Sequence, residues 1–248
     1  MIEVENLYYD IDTTQILKDI SLKVLKNKFV GIIGPNGCGK STLLKNIYKV
    51  LKYKSGTIKI ENIDILTMNS KQLAKKLAVL SQKQGLNFDF TVKEIVEMGR
   101  YIHQNRIFSK ENNGIVEEAL KQVGLYNLKD RSILSLSGGE IQRAFIARAL
   151  AQDSEILILD EPTNHLDIKY QLEIMKVIKG MGKTVLAVIH DMNIASTYCD
   201  YVYAMKNGEI VKSGVVEEVF TPENIKRIFE VECEVVRHPS NKRPVIIF

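Results

Sequence analysis

A chain of 248 residues, 45% hydrophobic and 26% charged, has enough apolar material for a globular core without disulfide or metal staples. Its net charge of +4 is mild, and the lysines between Lys45 and Lys54 read as a solvated face, so no nucleic-acid partner is expected. Cys38, Cys199 and Cys233 lack metal or disulfide spacing, and neither a signal-type N-terminus nor an apolar run of membrane length is found, which predicts a soluble chain in a reducing, cytosolic compartment.

Along the chain, the first 28 residues alternate loosely (Ile2, Val4, then Ile16, Ile20, Leu22, Val24), and residues 56–65 carry Thr57, Ile58, Ile60 and Ile63. Both stretches predict antiparallel strands. Residues 29–33 (Phe-Val-Gly-Ile-Ile) form a continuous apolar run, the pattern of a strand buried on both faces. That run enters Gly34-Pro35-Asn36-Gly37-Cys38-Gly39-Lys40-Ser41, which fits the G-x-x-x-x-G-K-[ST] phosphate loop. In such a loop backbone N–H groups and a helix N-terminus cradle phosphates. Lys40 reaches the β- and γ-phosphates, Ser41 ligates Mg²⁺, and Thr42 adds a hydroxyl in the first helical turn. Glycine at 34, 37 and 39 lets the backbone approach without a Cβ clash. The chain is therefore expected to bind a nucleoside triphosphate with Mg²⁺.

From Thr91 to about Gln152 the periodicity is helical, with apolar stripes at Val92, Ile95, Val96 and Met98 and at Ile141, Phe145, Ala149 and Leu150. Within it, Leu136-Ser137-Gly138-Gly139-Glu140 opens a helix and offers a second anion-facing N-terminus. Read locally, Ser137 is an N-cap and Glu140 completes a capping box. A second buried strand, residues 155–159, runs into Asp160 and Glu161, and a third, residues 184–189, into His190. A carboxylate at the end of an apolar strand calls for a cation, which Mg²⁺ supplies at Asp160, and Glu161 can polarise the attacking water as a general base. Functional groups at three strand ends agree with the rule that open α/β sheets bind ligands beyond their carboxyl edges. The tail predicts a short helix near Pro222 to Phe229 and two weak strands, one at Pro244-Val245-Ile246-Ile247. The expected architecture is one α/β domain over 1–248, with a mostly parallel phosphate-loop core, an N-terminal antiparallel β subdomain, an inserted helical subdomain at about 86–152 and a C-terminal extension from about 219.

These motifs occur in a telling order. The phosphate loop is followed by Gln82 in Leu80-Ser81-Gln82, Leu136 to Glu140, Ile156 to Glu161, Asn164-His165-Leu166-Asp167, and His190-Asp191. Over nearly its whole length the chain resembles the ATP-binding subunit of an ABC transporter. The resemblance implies an ATPase that works as a head-to-tail homodimer. Ser137, Gly138, Gly139 and Glu140 of one copy would contact the ATP held at Gly34 to Thr42 of the other. It further implies that Gln82 touches Mg²⁺ and the attacking water, with Ser41 and Asp160 completing the metal set, and that His190 contacts the γ-phosphate and orients the water of Glu161. Asp167 is implied at the dimer seam. An aromatic residue commonly stacks on adenine six positions before the residue matching Leu17. Here that position is Ile11, and Tyr9 is the alternative.

The same resemblance implies integral membrane permease subunits, docked near residues 83–103, a substrate-binding protein acting indirectly, and a place at the cytoplasmic face of the membrane. Thr91 to Val96 continuing to Tyr101, His165 to Glu173, and Arg243 to Ile246 resemble the subgroup that serves iron-siderophore, haem and cobalamin-type importers. The alternatives are a non-transport ABC ATPase, such as an iron-sulfur assembly accessory protein, an importer of another metal or small solute, and a small-molecule kinase.

Overall fold

A computed structural model describes residues 1–81, 89–106, 110–164 and 166–248. The chain forms two compact units, Met1–Asn69 with Gly182–Phe248, and Ser70–Met181. The first unit begins with β1 (Ile2–Ile11), β2 (Thr14–Val24), β3 (Phe29–Ile33), α1 (Lys40–Ile47), β4 (Ser55–Ile60) and β5 (Ile63–Asp64). The second holds α2 (Ser70–Lys76), β6 (Leu77–Leu80), α3 (Val92–Glu97), α4 (Lys110–Gln122), α5 (Gly138–Ala151), β7 (Ile156–Asp160) and α6 (Ile168–Gly180). The first then resumes with β8 (Thr184–Val188), α7 (Met192–Tyr198), β9 (Tyr201–Lys206), β10 (Glu209–Gly214), α8 (Val216–Val219), α9 (Pro222–Phe229), β11 (Glu234–Arg237) and β12 (Pro244–Ile247).

In the first unit, β2, β1, β4 and β5 form an antiparallel sheet in that order. The loose alternation of the sequence has a local cause. Ile2, Val4 and Leu7 are all buried, although Leu7 is out of phase with the other two. The register opposite β2 shifts between Val4 and Leu7, and Asn6 takes a φ of 47° there. This bulge inserts one residue and returns Leu7 to the core face. Asn6 supports it by donating its backbone N–H to Ser21 Oγ at 2.9 Å and its side-chain amide to Asp19 at 2.8 Å. The turn from β4 to β5 uses Glu61 and Asn62 at φ of 51° and 64°, the two left-handed residues of a type I′ hairpin.

The second sheet of this unit runs β10, β9, β3, β8. Strand β3 lies parallel to β8, with Ile32 opposite Val188, and parallel to β9, with Ile33 opposite Ala204. Every residue of β3 and of β8 is buried, as strands covered on both faces require. The tail forms the expected helix α9 and a hairpin, β11 with β12.

In the second unit, β6 and β7 pair in parallel with Leu80 opposite Leu159. Helices α3, α4 and α5 pack on one another. On α5 the stripe residues Phe145, Ala149 and Leu150 are buried as expected and Ile141 is half-buried, but burial extends beyond the stripe. From Arg143 to Ala151 only Arg148 escapes full burial, so the helix is enclosed around its circumference rather than along one face. Among the described residues no helix is long and apolar enough to cross a membrane.

Candidate active site

The phosphate loop leaves the carboxyl end of β3. Gly34 has φ 149°, and a Cβ there would run into the Met205 carbonyl, so the first loop position excludes a side chain on both grounds. Gly39, at φ 100°, is the N-cap of α1 and gives no side-chain cap to the helix. The first turn of α1 contains no acidic residue. Lys40 is 5% exposed, and its ammonium donates to the carbonyls of Gly34 and Pro35, each at 2.8 Å. The lysine thus folds back across its own loop, holding a positive charge beside the positive end of the helix. Ser41 and Thr42 follow in the first turn, half-buried, while Asn36 and Gly37 are exposed. Burial pushes the Cys38 thiol up, against the opposing pull of Lys40, so it is a protonated small residue near neutral pH rather than a nucleophile.

His190 belongs to the same unit and leaves the same sheet edge. The parallel register of β3 and β8 continues past the strands, where the Ile189 N–H donates to the Ile32 carbonyl at 3.1 Å. Gly34 and His190 therefore follow neighbouring strand ends. His190 is exposed, and Asp191 after it caps α7 by accepting from the N–H groups of Asn193 at 2.8 Å and Ile194 at 3.0 Å. Tyr9 lies half-buried on β1 opposite Leu17, and Ile11 is 48% exposed beside the β1–β2 turn.

In the second unit Asp160 closes β7 and is 1% exposed. Glu161 follows with φ 55°, a left-handed conformation costly to a residue with a side chain. Such strain concentrates where a side chain must be aimed. Asn164 helps to hold the turn, donating its amide to the Glu161 carboxylate at 3.0 Å and its backbone N–H to the Glu161 carbonyl at 3.2 Å. Asp167 is exposed at the N-cap of α6 and makes no side-chain cap. Gln82 and His165 lie outside the described residues, as does residue range 83–88 of the expected docking segment.

The Ser137 motif forms the anticipated capping box. Ser137 Oγ accepts from the Glu140 N–H at 3.3 Å and donates to the Glu140 carboxylate at 2.8 Å, which also accepts from the Ser137 N–H at 2.8 Å. That backbone bond, then the hydroxyl, holds the Glu140 carboxyl below its ordinary range. The carboxylate therefore faces back onto Ser137, whereas Gly138 is exposed with open space where a Cβ would stand.

Two contacts escaped the sequence reading. Gln142 of α5 donates to the Pro162 carbonyl at 3.3 Å, and the Arg143 guanidinium lies over the Tyr170 ring, 3.7 Å from its centroid. Together they tie the helix that starts at Ser137 to the turn after Glu161 and to α6. Only the spacing of Arg143 within a largely apolar helix could have signalled this.

The family model described as "ABC transporter" matches residues 17–164 of the chain. The chain belongs to the ABC transporter family. This ABC chain is 39% identical to an iron(3+)-hydroxamate import ATP-binding protein of Bacillus subtilis over 94% of its own length and 88% of that relative. It is 40% identical to a petrobactin import ATP-binding protein of the same organism, covering 95% of each. A cobalamin import ATP-binding protein of Halobacterium salinarum is 33% identical over 96% of the chain and 61% of that relative. Among solved structures, cbiO1 of Clostridium perfringens, part of the ABC transporter complex cbiONQ, superposes with a TM-score of 0.79 at 34% identity, covering 91% of this chain and 92% of that one. A dimeric bacterial ABC transporter cassette superposes with a TM-score of 0.80 at 30% identity, covering 87% and 98%. The fold is accordingly the α/β phosphate-loop cassette of this family, and the ABC chain is an ATPase that powers transport.

Proposed function

We propose that this ABC ATPase drives a membrane importer of iron-siderophore, haem or cobalamin-type cargo, as a homodimer held at the cytoplasmic face by permease subunits and served indirectly by a substrate-binding protein. The observation that carries the ATP chemistry is the start of α1. A helix N-terminus with no side-chain cap and no acid in its first turn sits beside the buried Lys40 ammonium. The positive end of the helix dipole and the Lys40 charge beside it both favour a polyphosphate.

In this reading Lys40 exchanges its two carbonyl partners for β- and γ-oxygens as nucleotide enters. The Ser41 hydroxyl, the Asp160 carboxylate and the Gln82 amide are hard oxygen donors, which is the set that suits Mg²⁺. The ion, when bound, would neutralise charge on the β- and γ-phosphates. Glu161 takes the proton of the attacking water, with Asn164 and the left-handed backbone fixing its direction, and His190 holds the water and the γ-phosphate in line. Ser137, Gly138 and Gly139 of a second copy cover the γ-phosphate from the other side. The exposure of Ser137, Gly138 and Asp167 supports such a seam, since each is presented rather than packed.

The cargo is inferred from the relatives whose printed names are siderophore and cobalamin importers. The test is reconstitution of the chain with its permease in vesicles loaded with ATP and Mg²⁺. ATP-dependent uptake of a ferric siderophore, haem or cobalamin delivered by a binding protein is expected. A soluble scaffold as the sole partner, with ATP hydrolysis and no uptake of any such cargo, would sink the importer reading.

A further inference from the structure

We infer that the β11–β12 hairpin is a splint for α7 and thereby sets the position of His190, with Arg243 and Asn193 as the positioning residues. The inference rests on the proposed role of His190 in hydrolysis.

Helix α7 has seven residues, too few to be stable by its own hydrogen bonds. Its first turn is closed by Asp191, the residue directly after His190. Any tilt of α7 is therefore transmitted to His190 through one residue, because Ile189 on the other side is held to the Ile32 carbonyl.

The hairpin grips this helix at both ends. Near its start, the Asn193 amide donates to the Ile246 carbonyl at 3.1 Å and accepts from the Ile246 N–H at 2.8 Å, so a side chain takes the place of a neighbouring strand. One turn on, the buried Ser196 hydroxyl donates to the Pro244 carbonyl at 2.5 Å. At the carboxyl end, Arg243 donates to the carbonyls of Ser196 at 2.8 Å and Cys199 at 2.6 Å. Carbonyls at a helix end accept from groups beyond the helix, and a guanidinium there also meets the negative end of the dipole. Pro244 and Ile246, alternate residues of β12, are both buried, whereas Ile247 is 48% exposed. Arg243 is itself presented by a tied loop, in which the His238 N–H donates to the Arg243 carbonyl at 2.8 Å and the Arg243 N–H to Asn241 at 3.1 Å.

Five hydrogen bonds therefore join the hairpin and its loop to α7 and its C-cap, beside the buried Pro244 and Ile246. They fall at residues 193, 196 and 199, three positions apart, and so along one side of α7 and its C-cap. Misplacing a catalytic group by a fraction of an ångström to an ångström costs turnover rather than ground-state affinity.

The test uses the full chain carrying Arg243→Ala, Arg243→Lys and Asn193→Ala, each alone and combined with His190→Ala. Steady-state hydrolysis, nucleotide binding and thermal melting are measured together. Arg243→Ala and Asn193→Ala are expected to lower kcat by about tenfold while KM stays within about twofold. Arg243→Lys, which keeps the charge but loses the forked donor, should recover part of the loss. In the His190→Ala background neither substitution should lower kcat further, because the group they position is gone. Asn193→Ala provides a second route should Arg243→Ala fail to fold. Losses that multiply with that of His190→Ala, or wild-type kcat in both positioning variants while His190→Ala is inactive, would overturn the splint. Normal hydrolysis by His190→Ala would instead overturn the assigned role of His190, and the splint with it.

Discussion

Two helices of the second unit begin with the same device, and this supplies an internal control for the role of Ser137. Thr91 caps α3 and Ser137 caps α5, each through a capping box closed by the acid three residues on. Ser137→Ala removes an acceptor for the Glu140 N–H and a donor to its carboxylate. Loss of such a cap costs about 1 kcal/mol, which for a chain of this size lowers Tm by about 2–4 °C. Thr91→Ala breaks the matching pair of bonds and should lower Tm by a similar few degrees. The two variants should part in activity. If Ser137 also meets the γ-phosphate of a second copy, Ser137→Ala cuts ATP hydrolysis by roughly tenfold to a hundredfold, whereas Thr91→Ala hydrolyses at nearly the wild-type rate. Differential scanning fluorimetry and a phosphate-release assay on the same preparations measure both quantities. Equal rates in the two variants, at equal cost in Tm, would reduce Ser137 to a helix cap and refute its contact with nucleotide.

The same boxes predict a pH dependence. Bonds from Ser137 and Thr91 hold the carboxyls of Glu140 and Glu94 below the ordinary value of 4.5, so the stabilisation is complete above that value and is lost as pH falls through the folded-state pKa. The Tm gap between wild type and Ser137→Ala should therefore narrow in acid, and a gap that widens below pH 4.5 would contradict the assignment. Lys40→Ala removes the buried charge of the phosphate loop. It should weaken ATP binding by on the order of 10², equivalent to a lost charge-assisted contact, as read by calorimetry. Glu161→Gln keeps the Asn164 contact feasible but removes the base. Turnover should fall by on the order of 10² or more with ATP affinity retained, and an ATP-bound dimer should accumulate on size exclusion.

What the amino-acid sequence determined by itself is what neighbouring residues can encode. The unbroken apolar run at 29–33 became β3 with identical bounds, and the run at 184–189 became β8 with one residue fewer, because burial on both faces leaves no polar position to confuse the reading. The phosphate loop and the Ser137–Glu140 box were legible for the same reason, since both join groups within a few positions of each other. Strand β6 was not foreseen, because four residues carry too little periodicity to separate strand from helix. Tertiary structure alone decided the rest. The left-handed backbone of Glu161 with its Asn164 support, Arg143 against Tyr170, and the hairpin that holds α7 from about fifty residues away all depend on which elements the fold brings alongside one another. Side-chain bonds to distant backbone groups leave no period in a sequence, and a polar residue such as Asn193 or Arg243 reads as surface until its partner strand is in place.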